Sequence, residues 1–316
     1  MSNDELLVSN ALLREPVQLQ ARLAEDGYLF FRDVLDVQAI QNLRMHILEI
    51  FRDKGWANAA GEPTRIPTVE GEDDFFSVYD EVQKLEQFHS LAHDSELSTI
   101  MRDTVGPSAF PHPLTIARLV FPDNEECTTP LHQDFPNNQG TKALYASWIP
   151  LSDCPRQLGG LSILEGSPSL GVLPLKFSLG AGGRQASLSE DANKLRWLTT
   201  DYRCGDVLIF GAMTVHRSLP NQSSNQFRLS VDFRFQEEGQ PLTSTVLEPH
   251  FGRLSWDQIY ANWKSDALQY YWRDKQFDIA PWDESLHALP DDHMKDAIRL
   301  SRQYRQRREQ LASDED

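Results

Sequence analysis

Phe227-Arg228-Leu229-Ser230-Val231-Asp232-Phe233-Arg234-Phe235 alternates apolar and polar side chains along its whole length. Successive side chains of a strand point to opposite faces. The spacing therefore predicts a strand with Phe227, Leu229, Val231, Phe233 and Phe235 on one face and Arg228 and Ser230 on the other. Such a strand suits a barrel wall whose outside packs on a core and whose inside lines a polar pocket. Two other stretches carry metal-ligating residue types: Thr129-Pro130-Leu131-His132-Gln133-Asp134-Phe135, and Val215-His216-Arg217-Ser218, which follows the strand-like run Asp206-Val207-Leu208-Ile209-Phe210. Strand parity projects His132 and Asp134 together and turns Gln133 away. Two histidines and a carboxylate bind one face of an octahedral Fe(II) and leave the other positions to a co-substrate and O2. An arginine on a nearby strand holds the far carboxylate of a keto-acid co-substrate through a two-pronged ion pair. Each signal alone has a bland reading: a chance His-x-Asp, a core or surface histidine, a solvated Arg228. Their order and combination on strand-like segments favour the metal site.

The surrounding sequence predicts an α+β chain. Runs 115–121, 144–150, 161–164, 207–210 and 227–235 are short, β-rich and bounded by turn residues, the pattern of a double-sheet jelly roll. Before them, Leu19 and Leu23 mark a helix that stops at Gly27, and residues 28–31 read as a strand. Asp36 can cap a second helix whose apolar face carries Val37, Ile40, Leu43, Ile47 and Ile50, ending at Gly55. A third helix carries Val78, Val82, Leu85, Phe88 and Leu91, and a fourth spans 95–105. Gly- and Ser-rich residues 166–193 read as a loop over the barrel mouth or a plain surface insertion; Gly180-Ala181-Gly182-Gly183-Arg184 lacks the ending of a phosphate loop. After residue 237 an extension rich in Trp and Tyr ends in a charged helix over 291–311, and Tyr271 and Trp272 are candidate substrate contacts there. The expected organisation is one domain over 1–316: a helical part (1–110), a jelly-roll core (111–237) and an aromatic extension (238–316).

Composition narrows the classes. A net charge of -17 argues against nucleic acid and anionic membranes, both of which call for basic surface. No run of eighteen apolar residues suggests a transmembrane helix, and the first fourteen residues lack a signal-peptide pattern. Cys127, Cys154 and Cys204, odd in number and widely spaced, fit reduced thiols in a cytoplasm and form no zinc pattern. The acidic clusters at 70–74 and 314–316 read as solvated faces.

Across residues 17–236 the chain resembles the phytanoyl-CoA dioxygenase-like branch of the Fe(II)/2-oxoglutarate-dependent oxygenases. The residues that carry the resemblance are Glu25-Asp26-Gly27-Tyr28-Leu29-Phe30-Phe31, His132 and Asp134, and Trp148 in Ala146-Ser147-Trp148-Ile149-Pro150-Leu151. They continue with Gly159-Gly160-Leu161-Ser162-Ile163-Leu164-Glu165-Gly166-Ser167, Gly205-Asp206-Val207, His216, Ser218 and Arg228. The resemblance implies a double-stranded β-helix (jelly-roll, cupin-like) barrel with N-terminal packing helices and a C-terminal helical extension. It implies that His132, Asp134 and His216 ligate iron, that Arg228 anchors 2-oxoglutarate with Ser230 beside it, and that Trp148 and Ser218 line the 2-oxoglutarate pocket. Arg217 and Arg234 are the next candidates for the anchor, Arg234 because it shares strand parity with Arg228.

The implied cofactors are Fe(II), 2-oxoglutarate and O2, with ascorbate as an aid. The implied reaction is hydroxylation of an unactivated C–H bond of a small-molecule metabolite or natural-product intermediate, with release of succinate and CO2. No side-chain acid or base is needed beyond the iron ligands. Asp134 fills the position that halogenases leave open to chloride, which favours hydroxylation. Desaturation, epimerisation and ring formation share the same cofactors. A metal-dependent cupin-type isomerase and a non-catalytic binding protein are the rival classes; Arg228 and Trp148 weigh against the first and the intact ligand set against the second. The sequence names no substrate, and an acyl-CoA is less attractive beside an acidic surface.

Overall fold

The computed structural model describes residues 4–314. Residues 1–3 of the N-terminal stretch, and Glu315 and Asp316 of the acidic tail, lie outside the described residues. In chain order the elements are β1 (Asp4–Glu5), α1 (Pro16–Asp26), β2 (Tyr28–Phe31), α2 (Val37–Asp53), α3 (Asp73–Gln83), α4 (Glu86–Leu91), α5 (Ser95–Thr104) and β3 (Ala109–Val120). Then come α6 (Phe135–Asn138), β4 (Tyr145–Pro150), β5 (Leu161–Leu164), β6 (Leu175–Phe177), β7 (Arg184–Ala186) and β8 (Trp197–Thr199). The chain closes with β9 (Val207–Gly211), β10 (His216–Ser218), β11 (Arg228–Glu237), α7 (Trp256–Tyr260) and α8 (His293–Asp314).

Alternation along β11 sorts the molecule into layers. Phe227, Leu229, Val231, Phe233 and Phe235 all enter one buried cluster with the helix residues Leu43, Ile47, Val78, Val82 and Ile100. β11 lies inside a five-stranded sheet of order β2-β9-β4-β11-β3, facing a four-stranded sheet of order β1-β8-β5-β10. A second cluster fills the space between the sheets, with Phe30, Trp148 and Phe210 from one and Leu161, Ile163 and Leu198 from the other. The architecture is the expected two-sheet jelly roll flanked by helices, but among the described residues the sheets do not close into a barrel. β3 runs longer than its sequence suggests and contains Pro111 and Pro113. It is an edge strand, the place where a residue without an N–H is tolerated.

The helix caps follow the sequence. Gly27 ends α1 at φ 83°, with its N–H donating to the Leu23 carbonyl, and Asp36 caps α2 by accepting from the Gln38 and Ala39 amides. The third predicted helix is instead two helices, α3 and α4, broken at Lys84 and Leu85. The break is stabilised from outside: the His89 ring nitrogen bonds the Gln83 carbonyl at 2.8 Å, and the Trp263 indole donates to the Lys84 carbonyl at 3.0 Å. Carbonyls freed at a helix end need such partners.

The extension after β11 is mostly turns, with the short α7 and the long α8 as its helices. Tyr271 and Trp272, expected at the substrate, lie in an aromatic cluster with Ile259, Tyr260, Trp256 and Trp263. The Tyr271 hydroxyl donates to the Pro111 carbonyl at 2.8 Å, and Trp272 is 6% exposed, 4.8 Å from Trp256 ring to ring. This is packing of the extension on α4 and the edge of the sheet. Trp272→Ala should therefore lower the unfolding free energy by about 3–5 kcal/mol, the usual cost of truncating a buried aromatic. Denaturant unfolding checks this; wild-type stability in that variant would mean the ring is not a packing element.

Candidate metal centre and co-substrate pocket

His132 and His216 are brought together by backbone before side chains matter. Their main chains form an antiparallel bridge: the His132 N–H donates to the His216 carbonyl at 2.9 Å, and the His216 N–H returns the bond at 3.0 Å. The rings stand 4.1 Å apart between centroids. Asp134 joins them because the chain turns after this one bridge into α6, so a bend rather than a continuous strand aims it inward. Gln133 is turned away as the parity predicts. It is held by bonds from its amide nitrogen to the Gly171 and Met213 carbonyls, both 2.8 Å, and by the Leu173 amide on its side-chain oxygen.

One atom from each of His132, Asp134 and His216 falls within 4.8 Å of the others. Asp134 Oδ1 is 3.6 Å from His132 Nε2 and 3.9 Å from His216 Nε2. Each ring uses its other nitrogen on a carbonyl: His132 Nδ1 on Pro130 at 2.8 Å, and His216 Nδ1 on Thr214 at 3.0 Å. Such bonds put the proton on Nδ1 and leave Nε2 as a lone pair facing the centre, the arrangement metal-binding histidines use. Burial, assisted by the neighbouring His132, pushes His216 down to about 3, so it is a neutral donor at ordinary pH. Burial would raise the Asp134 carboxyl, but Arg234 foremost, then the histidines, hold it well below the usual carboxylate range. Two imidazole nitrogens and one carboxylate are the donor set that suits a divalent iron.

The second polar group lies one step away between the sheets. Arg228 is 1% exposed. Its guanidinium donates to Ser230 Oγ and Ser218 Oγ, both at 2.8 Å, and to the Gly159 carbonyl at 3.1 Å. Ser230 Oγ also accepts from the Trp148 indole at 3.0 Å, so all four pocket residues expected from the sequence meet in one network. Among the described residues no carboxylate ion-pairs with Arg228, and burial lowers it only to about 10, so it stays charged. A buried cation without an anion is costly unless a ligand completes it. Gly159 has φ 81° and no room for a Cβ, which would stand 2.4 Å from the Leu219 carbonyl oxygen; its conformation is what aims its carbonyl at Arg228.

The alternative anchors are placed elsewhere. Arg217 lies over the Trp197 ring at 4.2 Å, and Arg234 grips Asp134 with Nε and Nη2 at 3.2 and 3.1 Å. Sequence reading found Arg234 by parity but not its partner. It missed Tyr202, whose ring packs 4.8 Å from Trp148 and whose hydroxyl donates to the Leu161 carbonyl at 2.9 Å. The signal for Tyr202 was Gly160, where a Cβ would stand 2.7 Å from the Tyr202 ring.

A cavity of about 600 Å³ lies along the edge strand β3, lined by residues 68–71, Phe75, Phe76, residues 117–120, Thr129, residues 177–183, Phe251 and Tyr304, with none of the three candidate ligands or the Arg228 pocket residues in its wall. Its nearest tie to the Arg228 pocket is Thr129, whose carbonyl accepts from the Ser218 amide. The glycine-rich segment thus forms one wall, carried by the β6–β7 ribbon. The extension reaches the cavity through Phe251 and Tyr304, not through the Tyr271 and Trp272 cluster. Phe251 adopts φ 67°, an unusual backbone for a bulky residue, and packs against Phe76 and Tyr79. The cavity-lining helix α8 is tied across the rim by ion pairs from Arg307 to Glu126 and from Arg308 to Glu72.

Comparison with known proteins agrees with this geometry. The chain is 31% identical over 238 residues to the 1-deoxypentalenic acid 11-beta-hydroxylase of Streptomyces arenae, spanning 71% of this chain and 82% of the relative. The enzyme of the same name from Streptomyces exfoliatus is 28% identical over 239 residues, with the same coverage. The fold is shared with the non-heme alpha-ketoglutarate-dependent carbocyclase SnoK from nogalamycin biosynthesis, at a TM-score of 0.52 and 20% identity over 75% of this chain and 90% of that one. It is also shared with the non-heme monooxygenase ThoJ, at a TM-score of 0.52 and 14% identity over 94% of this chain and all (100%) of that one. The family model for phytanoyl-CoA dioxygenase matches residues 23–230, which include every residue of the centre and its pocket. The chain belongs to the phytanoyl-CoA dioxygenase family and is an Fe(II)- and 2-oxoglutarate-dependent oxygenase.

Proposed function

We propose that this protein hydroxylates an unactivated C–H bond of a mainly apolar small molecule held in the 600 Å³ cavity. In this reading His132, Asp134 and His216 hold Fe(II), and Arg228, with Ser218, Ser230 and Trp148 around it, binds the far carboxylate of 2-oxoglutarate. The observation that carries it is Arg228: a buried, charged guanidinium without an anionic partner, on the same inner face as the three converging ligand atoms.

Bound iron with 2-oxoglutarate supplies the oxidising power, and the chain supplies everything that directs it. The backbone bridge sets the distance between the two imidazoles. Their Nδ1 bonds fix the tautomer. Arg228 provides charge and a fork that orients the co-substrate. Trp148 and Tyr202 exclude water beneath it. Phe75, Phe76, Phe177, Leu179 and Phe251 give the cavity an apolar wall. That lining suits a mainly apolar substrate, and the relatives this chain resembles are named as hydroxylases of 1-deoxypentalenic acid. A cavity of this size lies within the range of small-molecule sites.

Three outcomes test the reading. His216→Ala should lose Fe(II) binding measured by anaerobic titration, and an unchanged affinity would sink the ligand assignment. Arg228→Ala should weaken 2-oxoglutarate by about 1.5–3 kcal/mol, with Arg228→Lys recovering only part because an ammonium lacks the fork. Succinate release at increasing 2-oxoglutarate reads this directly. Phe251→Ala should leave 2-oxoglutarate affinity intact while lowering the product formed per 2-oxoglutarate consumed; intact coupling would remove Phe251 from the substrate wall. The product mass separates hydroxylation, a gain of one oxygen, from desaturation, epimerisation or ring closure.

A further inference from the structure

Behind the iron carboxylate stands a file of buried charges that neither metal binding nor the 2-oxoglutarate pocket uses. Arg234 donates from Nε to Asp134 Oδ2 at 3.2 Å and from Nη2 to Asp134 Oδ1 at 3.1 Å. Its Nη1 lies 3.7 Å from Asp232 Oδ2 and makes no hydrogen bond. The same Asp232 oxygen accepts from Arg118 Nε at 2.8 Å, and Arg118 lines the cavity. The side chains of Asp134, Arg234, Asp232 and Arg118 are 3, 4, 8 and 17% exposed, and their signs alternate. The backbone is shaped for this. The β11–β3 register slips between Phe233 and Phe235, so Arg234 sits at an irregularity of the ladder. Such irregularities re-aim a side chain.

The geometry points to Arg234 as a positioning residue that keeps Asp134 a one-oxygen ligand. The inference rests on His132, Asp134 and His216 being the iron ligands. Asp134 Oδ1 lies 3.6 and 3.9 Å from the two imidazole Nε2 atoms, and the guanidinium spans both carboxylate oxygens, with Nε on Oδ2 and Nη2 on Oδ1. An octahedral shell has six places. With His132, Asp134 and His216 each giving one atom, three places would remain for co-substrate and O2. A carboxylate free to rotate would bring its second oxygen in and occupy a place the co-substrate needs. A planar guanidinium paired along the carboxylate edge opposes that rotation, and a point charge opposes it less well. Asp232 has a distinct part. It shares the charge of Arg234, so the guanidinium orients Asp134 without drawing the carboxylate off the metal, and Arg118 holds Asp232 in place.

The test separates iron binding from 2-oxoglutarate chelation in the full-length protein. Anaerobic titration with Fe(II), then with 2-oxoglutarate, is followed by the charge-transfer absorption of the Fe(II)·2-oxoglutarate chelate. Arg234→Gln should keep Fe(II) affinity within about threefold of wild type but weaken 2-oxoglutarate by about tenfold, a loss of about 1.4 kcal/mol. Arg234→Lys should fall between the two. Asp232→Asn should shift 2-oxoglutarate affinity in the same direction by a smaller factor, and it serves as the informative variant if Arg234→Gln does not fold. Wild-type 2-oxoglutarate affinity and absorption in the folded Arg234 variant, or equal losses of Fe(II) and 2-oxoglutarate affinity, would overturn the proposal. His216→Ala is the control on which it rests. If that variant still binds Fe(II), the ligand assignment itself fails; if it loses Fe(II) while Arg234→Gln behaves as wild type, only the role of Arg234 fails.

Discussion

Strand β11 must satisfy two environments at once, and the rest of the molecule is arranged around that demand. Its outward side chains are all apolar and buried against the helices. Its inward side chains are Arg228, Ser230, Asp232 and Arg234, all less than 9% exposed. A pleated strand is the one backbone that delivers two such sets from consecutive residues. The inward set is tolerable only because each polar group finds a partner or awaits one. Ser230 takes Trp148 and Arg228, Asp232 takes Arg118, and Arg234 takes Asp134. Of the inward charges Arg228 is the one without a carboxylate among the described residues, and in the proposed reading the far carboxylate of 2-oxoglutarate completes it.

The two arginines show how neighbouring positions of equal parity acquire different tasks. Arg228 lies where Ser218, Ser230 and Gly159 offer only neutral acceptors, so its charge is available to a ligand. Arg234, three inward positions further along, meets a carboxylate within reach of its fork, so its charge is committed inside the protein. Desolvated ion pairs contribute little net stability but are strongly destabilising when one partner is removed. For the Arg234–Asp134 pair the proposed value is geometric, since it would fix the angle of a carboxylate that has to meet iron.

Much of this was legible in the sequence because it depended on short-range rules. The inward and outward faces of β11 follow from a period of two. The caps at Gly27 and Asp36 follow from residue chemistry, and the conjunction of His132, Asp134, His216 and Arg228 follows from order along the chain. What was not legible depended on contacts between distant segments. The break between α3 and α4 is held by Trp263, roughly 180 residues away along the chain from Lys84. The partner of Arg234 is separated from it by a hundred residues (|i−j|=100). Tyr271 and Trp272 carry no periodic signal that distinguishes a ring packed on another ring from a ring facing a substrate, and the structure places them in an aromatic cluster. The β-rich run read from residue 115 falls short of β3, because the edge position that permits Pro111 and Pro113 is a property of the sheet.

The account centres on two sites prepared side by side: three ligand atoms for one metal, and a buried guanidinium for one carboxylate. An anaerobic crystal structure with Fe(II) and 2-oxoglutarate, phased for iron by anomalous scattering, tests both in one experiment. The account predicts a single strong iron peak bound by His132 Nε2, Asp134 Oδ1 and His216 Nε2, with the far carboxylate of 2-oxoglutarate paired to Arg228. Iron bound elsewhere, or a 2-oxoglutarate carboxylate paired to another arginine with Arg228 left bare, would contradict it.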